Sequence, residues 1–182
     1  MTIQPDASKR YSVTTPQGVI DFFELVSNDV HRYVSRLTGG NRQLTEDIVQ
    51  DAFLSLVRHA NNGLLSEVGP GWMMTTARRR FIDHVRSVDR EQRRLNVYQS
   101  AGDGVTDECR DIEAGVLSAD RASALLGVLP EQERWALSLQ VVDGLSITEV
   151  AALLGRSVEA TTSLLARARR RLRTIVEATD GD

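Results

Sequence analysis

Ser146-Ile-Thr-Glu-Val-Ala-Ala-Leu-Leu-Gly-Arg-Ser-Val-Glu-Ala-Thr-Thr-Ser-Leu-Leu-Ala-Arg-Ala-Arg-Arg-Arg-Leu-Arg173 is the stretch whose reading decides the fold. Ser146-Ile-Thr-Glu149 is a capping-box pattern, in which the serine hydroxyl accepts from the third backbone N–H and the glutamate reaches back. The short helix it starts ends at Gly155, a residue able to take the left-handed conformation. Ser157 offers a second N-cap two residues later. Short helix, glycine turn and longer capped helix together make a helix-turn-helix. An ordinary helical hairpin has the same spacing, so the second helix must decide between them.

That helix has two unlike sides. Val158, Thr161, Leu165, Ala168 and Leu172 fall on one side and are expected to pack inward. At about 100° per residue the other side carries Glu159, Ser163, Ala166, Arg167 and Arg170. The start of such a helix meets base edges and its later arginines meet phosphates. Glu159 and Ser163 are the candidate base readers, Glu159 as an acceptor for a cytosine amine. Arg156, Arg167, Arg170 and Arg171 are the candidate phosphate contacts, and Ser157 and Ala160 complete the DNA-facing start. Salt bridging within the fold is the competing role for each arginine. For the group, DNA binding accounts better for the pattern.

Working outward, the basic residues are segregated although the net charge is −3. Seven arginines lie between Trp72 and Arg94 and six between Arg156 and Arg173. An acidic stretch with Asp103, Asp107, Glu108, Asp111, Glu113 and Asp120 separates them. Two basic blocks around an acidic one matter more than the sum.

The rest of the chain reads as helix. Thr15-Pro16 looks like an N-cap followed by proline at the first helical position, with helix to Thr38 and a Gly39-Gly40 stop. Asn41 is placed to cap a second helix reaching about His59. Asn61 to Gly71 is a loop, and a third helix runs from about Trp72 into the Arg86–Arg94 region. Its apolar stripe is Met74, Ala77, Phe81, Val85 and Val88. Opposite lie Trp72, Thr76, Arg79, Asp83, Arg86 and Arg90, a mixture of aromatic and cationic groups suited to unstacked bases and strand backbone. Packing in the core is the other role open to Trp72. Asp83 is expected to pair with Arg79 or Arg86 rather than touch DNA. Further helices are expected over about 118–129, 130–142, 146–154 and 157–176, with no convincing strand.

The expected architecture is all-α: a flexible tail over 1–15, a helical domain over 16–95, a flexible acidic linker over 96–117, a second helical domain over 118–177 and a short tail over 178–182. The chain has no apolar run of the roughly 18 residues a membrane helix needs, and its polar start lacks the apolar core of a signal peptide. A cytoplasmic location is the default expectation. Cys109, the only cysteine, leaves no partner for a disulfide or a thiol-rich zinc site. His31, His59 and His84 lack ligand or triad spacing and no phosphate-cradling glycine loop occurs, so an enzyme acting on nucleic acid is disfavoured. No metal, cofactor or catalytic residue is expected.

These segments together resemble bacterial RNA polymerase sigma factors of the extracytoplasmic-function group, from about Gly18 to Arg173. The matches are Glu46-Asp-Ile-Val-Gln-Asp-Ala-Phe-Leu54; Trp72 followed by Ala77-Arg-Arg-Arg-Phe-Ile-Asp-His-Val-Arg86; and Leu129-Pro-Glu-Gln-Glu-Arg134 leading to Asp143-Gly-Leu-Ser-Ile-Thr-Glu-Val-Ala151 and Arg167-Ala-Arg-Arg-Arg-Leu172. The resemblance implies sigma domains 2 and 4. It implies that Asp47, Ile48, Gln50, Asp51, Phe53 and Leu54 bind core RNA polymerase. It implies that the third helix, with Trp72, Thr76, Arg79, Arg80, Arg86 and Arg90, melts and reads the downstream promoter element, and that the helix-turn-helix reads the upstream one. The linker is expected to thread the polymerase channels, and an anti-sigma protein is an expected partner. Two places depart from the family pattern: Arg79 stands where an asparagine is usual, and Glu159-Ala-Thr-Thr-Ser-Leu164 replaces the usual Gly-Thr-Val-Lys-Ser-Arg. Both lie on surfaces expected to face DNA, so the promoter sequence does not follow from the resemblance. A stand-alone regulator with a similar helix-turn-helix would bind duplex DNA without polymerase, and would leave the motif over residues 46–54 without a purpose.

Overall fold

The computed structural model describes residues 9–96 and 125–179. The acidic linker, most of the helix expected over 118–129 and both chain ends lie outside these residues. The described chain is helical apart from one small sheet, and it divides into two compact units.

The first unit comprises the chain up to Ser35 together with Arg42–Phe81. It contains β1 (Tyr11–Ser12), most of α1 (Pro16–Leu37), α2 (Arg42–Asn61), β2 (Glu67–Val68) and the first half of α3 (Pro70–Asn96). On α1, Phe22, Val26, Val30 and Val34 recur every four residues and are all buried. Leu44, Ile48, Ala52, Phe53 and Leu56 do the same for α2, and Met73, Ala77 and Phe81 for α3. Each such side chain contributes roughly 1.5–3 kcal/mol by leaving water. The buried stripe of α3 runs through Met73 rather than Met74, which is half-buried, one step round the helix from the expected line.

The sheet replaces part of the expected tail. β1 pairs antiparallel with β2, Tyr11 opposite Val68 and Ser12 opposite Glu67. The Val13 N–H then donates to the Ser66 carbonyl at 2.9 Å. Val13 is 1% exposed, and Tyr11 packs on Phe22 with ring centroids 5.6 Å apart. Two paired residues per strand show no alternation in sequence, which is why periodicity misses them. Thr15 caps α1 by accepting from the Gly18 N–H at 3.1 Å. Gly18 itself is required sterically: a Cβ there would lie 2.4 Å from the Ser12 carbonyl oxygen.

The second unit comprises Arg36–Asn41 and the chain from Ile82 onward. The sequence placed a domain break after residue 95, whereas here residues 82–96 are grouped with the C-terminal helices. These are α4 (Glu131–Val142), α5 (Ile147–Leu154) and α6 (Val158–Thr179). Ile82 and Val85 of α3 are buried, with Trp135, Ala136, Leu137 and Leu139 of α4, Val150, Ala151 and Leu154 of α5, and Leu164, Leu165 and Ala168 of α6. Trp135 meets the His84 ring edge-on at 5.7 Å.

The capping box of α5 forms in full. The Glu149 N–H donates to Ser146 Oγ at 3.3 Å and the Ser146 N–H donates to Glu149 Oε2 at 2.9 Å. Gly155 takes φ 64°, where any other residue would be strained. Ser157 Oγ accepts from the Ala160 N–H at 3.1 Å and opens α6. α4 and α5 both pack on α6. The inward face of α6 differs from expectation at three places, one of them Leu172, which is only half-buried. Leu164 is buried and Val158 is exposed, because the helix presents Thr161, Leu164, Leu165 and Ala168 to its neighbours.

Candidate nucleic-acid and partner interfaces

The residues of interest lie on α2, on α3 and on the helix-turn-helix. On α2 of the first unit, Asp47, Gln50, Asp51 and Leu54 follow one another at three- and four-residue steps and are exposed, Leu54 to 42%. Two members of the expected set do not belong to this surface. Ile48 is 3% exposed and is core. Phe53 is also buried, its ring edge-on to Phe23 with centroids 4.4 Å apart. Burial of Phe53 brings α1 alongside, and Ile20 and Phe23 are both exposed large apolar groups, as is Val57. Sequence reading missed these three. A clue is the spacing on α1: the Phe22, Val26, Val30 and Val34 line faces the core, and Ile20 and Phe23 fall off it.

On α3, Arg79 and Arg90 are exposed and hold no side-chain partner among the described residues. Asp83 is exposed and makes neither of the ion pairs expected of it. Trp72 and Thr76 are half-buried. The Trp72 ring meets the His59 ring edge-on at 5.7 Å, and His59 Nδ1 lies 2.6 Å from the Ser55 carbonyl. Arg80 turns inward, donating to Ser55 Oγ at 2.6 Å. Arg86, in the second unit, donates through Nε to the Leu153 carbonyl at 2.6 Å. Both arginines are therefore engaged within the fold rather than displayed. An i, i+1 run such as Arg78-Arg79-Arg80 spreads over most of a helix circumference, so only one of the three points to solvent.

The helix-turn-helix belongs to the second unit. Ser157, Glu159 and Ala160 are exposed at the start of α6 and Ser163 is half-buried. Arg170 lies on the same stripe, exposed and without a side-chain partner among the described residues. Arg173, not among the expected contacts, shares both properties. Arg167 and Arg171 are different: their Nε atoms lie 3.6 and 3.1 Å from the carboxylate of Glu133, buried on α4. Arg169 donates to Gln140 Oε1 at 2.8 Å. Arg156 is largely buried, ion-paired with Asp89 and donating to Gln132 Oε1 at 2.7 Å. The Glu159 carboxyl is held below its ordinary pKa, first by its own backbone N–H and then by the Ser157 hydroxyl. Both contacts favour its ionised form at the start of α6. Among the described residues no cluster of three or more metal-ligating side chains occurs, and no helix is long and apolar enough to cross a membrane.

The family model for Sigma-70 region 2 matches residues 22–91, and that for Sigma-70 region 4 matches residues 119–172. Relatives include the ECF RNA polymerase sigma factor SigM of Bacillus subtilis, 28% identical over 164 residues that cover 85% of this chain and 93% of that one. The chain is a sigma factor of the extracytoplasmic-function group. A similar relative is SigE of Mycolicibacterium smegmatis, another ECF sigma factor, 29% identical over 93% of this chain and 67% of its own length. Among solved structures, the sigma factor RpoE in complex with the anti-sigma factor NepR from Bartonella quintana is similar at 22% identity, covering 87% of this chain and 96% of that one with a TM-score of 0.46. In the sigma factor described here, the region 2 match carries the acidic–apolar face of α2 and the region 4 match carries the helix-turn-helix.

Proposed function

We propose that this sigma factor binds core RNA polymerase through the exposed face of α1 and α2 and directs it to promoters with two DNA-reading elements. The observation that carries the reading is the outward stripe of α6, where Ser157, Glu159, Ala160, Ser163 and Arg170 are presented by a helix that Ser157 caps and that follows the capped α5 through a left-handed glycine turn. Its first turn contacts base edges of the upstream element, and Arg170 with Arg173 contacts phosphates.

On the first-unit part of α3, Arg79 contacts the strand backbone of the downstream element, and the half-exposed Trp72 offers a ring for an unstacked base, a contact of about 1–3 kcal/mol. The α2 face combines Asp47, Gln50 and Asp51 with Leu54, Val57, Phe23 and Ile20. Apolar anchors rimmed by charges are the composition of a protein-binding surface. The protein works by binding and positioning, with no covalent step of its own, in the cytoplasm. Sigma factors of this group are commonly held inactive by an anti-sigma protein, and such a partner belongs to the proposal.

Gel filtration of the full chain with purified core polymerase tests the first part. Co-elution that is lost in Leu54→Glu supports the assigned face, and a chain that never co-elutes with core contradicts the reading.

A further inference from the structure

We propose that Asp89 acts as an internal stand-in for a DNA phosphate: in the free protein it holds Arg156 at the mouth of the recognition helix, and duplex DNA must compete with it for that guanidinium. The proposal rests on the reading of α6 as the DNA-reading helix. Arg156 lies two residues before α6, next to its cap Ser157, where a cation is well placed to meet a phosphate. Yet its side chain is only 16% exposed and Asp89 only 7%. Nη2 of Arg156 donates to Asp89 Oδ1 and, at 2.7 Å, to Gln132 Oε1. Gln132 in turn donates to Gln92 Oε1. One helical turn before Asp89, Arg86 donates to the Leu153 carbonyl at 2.6 Å, fastening the same stretch of α3 to the end of α5. All these residues belong to the second unit.

A guanidinium presents the same planar fork to a carboxylate and to a phosphate, so the two anions are interchangeable partners in geometry. A buried ion pair of this kind contributes little net stability, because desolvation offsets most of the attraction, whereas leaving either charge buried alone is costly. Rupture leaves both charges unpaired, whereas exchange keeps Arg156 paired and leaves only the Asp89 carboxylate to be met by water, which reaches it through the cleft that Asp89 lines. The route exists: a cleft of about 440 Å³ opens beside the pair, lined by Asp89, Gln92, Gln132, Arg156, Ser157 and Ala160. While Asp89 occupies Arg156, a phosphate entering this cleft lacks its cation. Displacement of Asp89 supplies it.

The test is fluorescence anisotropy of the full chain, without polymerase, on a labelled mixed-sequence duplex about three helical turns long, across a salt series. Asp89→Asn is expected to bind more tightly than wild type and to steepen the slope of log K against log salt by about 0.9, one additional phosphate contact. In an Arg156→Ala background Asp89→Asn is expected to give no gain. Asp83→Asn, an equal charge change at an exposed site of the same helix, is expected to leave the slope unchanged. An unaltered slope in Asp89→Asn, or a gain that survives without Arg156, overturns the proposal.

Should Asp89→Asn fail to fold by circular dichroism, Asp89→Ser removes the carboxylate with a smaller polar side chain and carries the same comparison. A gain that requires Arg156 supports the latch, and no gain overturns it. If neither wild type nor any variant binds the duplex at the lowest salt, the DNA-binding reading of α6 fails and the latch with it. Binding without an Asp89-dependent gain removes the latch alone.

Discussion

The buried carboxylate of Glu133 lies 3.1 Å from Nε of Arg171. Arg167, one turn earlier on α6, approaches the same carboxylate at 3.6 Å. Two arginines that look like phosphate contacts in the sequence are thus spent on orienting α6 against α4, and the arginines left over are Arg170 and Arg173. This division of labour gives the first prediction. Arg170→Ala and Arg173→Ala each reduce the salt slope of duplex binding by about 0.9 without changing the melting temperature. Arg171→Ala changes the slope less and lowers stability by about 1 kcal/mol, a modest cost because Arg171 is 57% exposed and its pair with Glu133 is screened. Salt titrations beside thermal melts check both halves. A larger slope change for Arg171 than for Arg170 contradicts the assignment.

The exposed and buried residues of α2 separate binding from folding. Asp51→Arg and Leu54→Glu are expected to abolish co-elution with core polymerase while leaving stability within about 0.5 kcal/mol of wild type. Ile48→Ala is expected to cost about 2–5 kcal/mol as a cavity in the core. Urea unfolding read beside gel filtration distinguishes them. An unfolded Leu54→Glu would place that residue in the core.

Glu159 predicts a pH dependence. Its carboxyl is held below its ordinary pKa by its own backbone N–H and by Ser157. A depressed folded value means stability that is fully present above the ordinary glutamate range and is lost as pH falls through the folded value. Thermal melts of wild type and Glu159→Gln are therefore expected to differ at neutral pH and to converge in acid, below the ordinary carboxylate range. A difference that stays constant with pH rules out the carboxylate as its source.

Gly18 and Val13 report on the docking of β1. A Cβ at Gly18 lies 2.4 Å from the Ser12 carbonyl oxygen, a backbone atom that cannot move aside cheaply. Gly18→Ala is expected to detach Tyr11–Ser12 from β2 rather than to stabilise α1, although alanine is the better helix former. Val13→Ala is expected to cost about 2 kcal/mol. Amide exchange at Val13, whose N–H donates to Ser66, measures the detachment. Retained protection in Gly18→Ala contradicts the steric argument.

Much of this was legible in the sequence because it is encoded locally. The capping box at Ser146 and Glu149, the turn at Gly155 and the cap at Ser157 each involve residues within a few positions of one another, and all are present. The helices follow from spacing, whereas the set holding Asp47, Gln50, Asp51 and Leu54 comes from the family resemblance, together with the buried Ile48 and Phe53. What spacing does not show is which partner a charged side chain finds across the fold. Arg80 meets Ser55, Arg86 meets the Leu153 carbonyl, Arg156 meets Asp89, and Arg167 and Arg171 meet Glu133. Arg156 lies in a turn and the others on helices, and each is recruited by a residue more than twenty positions away along the chain. Val13 and β1 escaped notice for the same reason, since their partner strand lies more than fifty residues away. Ile48 shows the limit of the family resemblance, which marks a motif without separating its core residues from its contacts.

The central claim is that this chain gives core polymerase its promoter choice, and run-off transcription from genomic promoter fragments tests it most directly. With purified core enzyme and wild-type protein, discrete transcripts are expected that are absent with core alone and lost in Leu54→Glu. Transcription by core that is identical with and without the protein, in the absence of any inhibitor, contradicts the account.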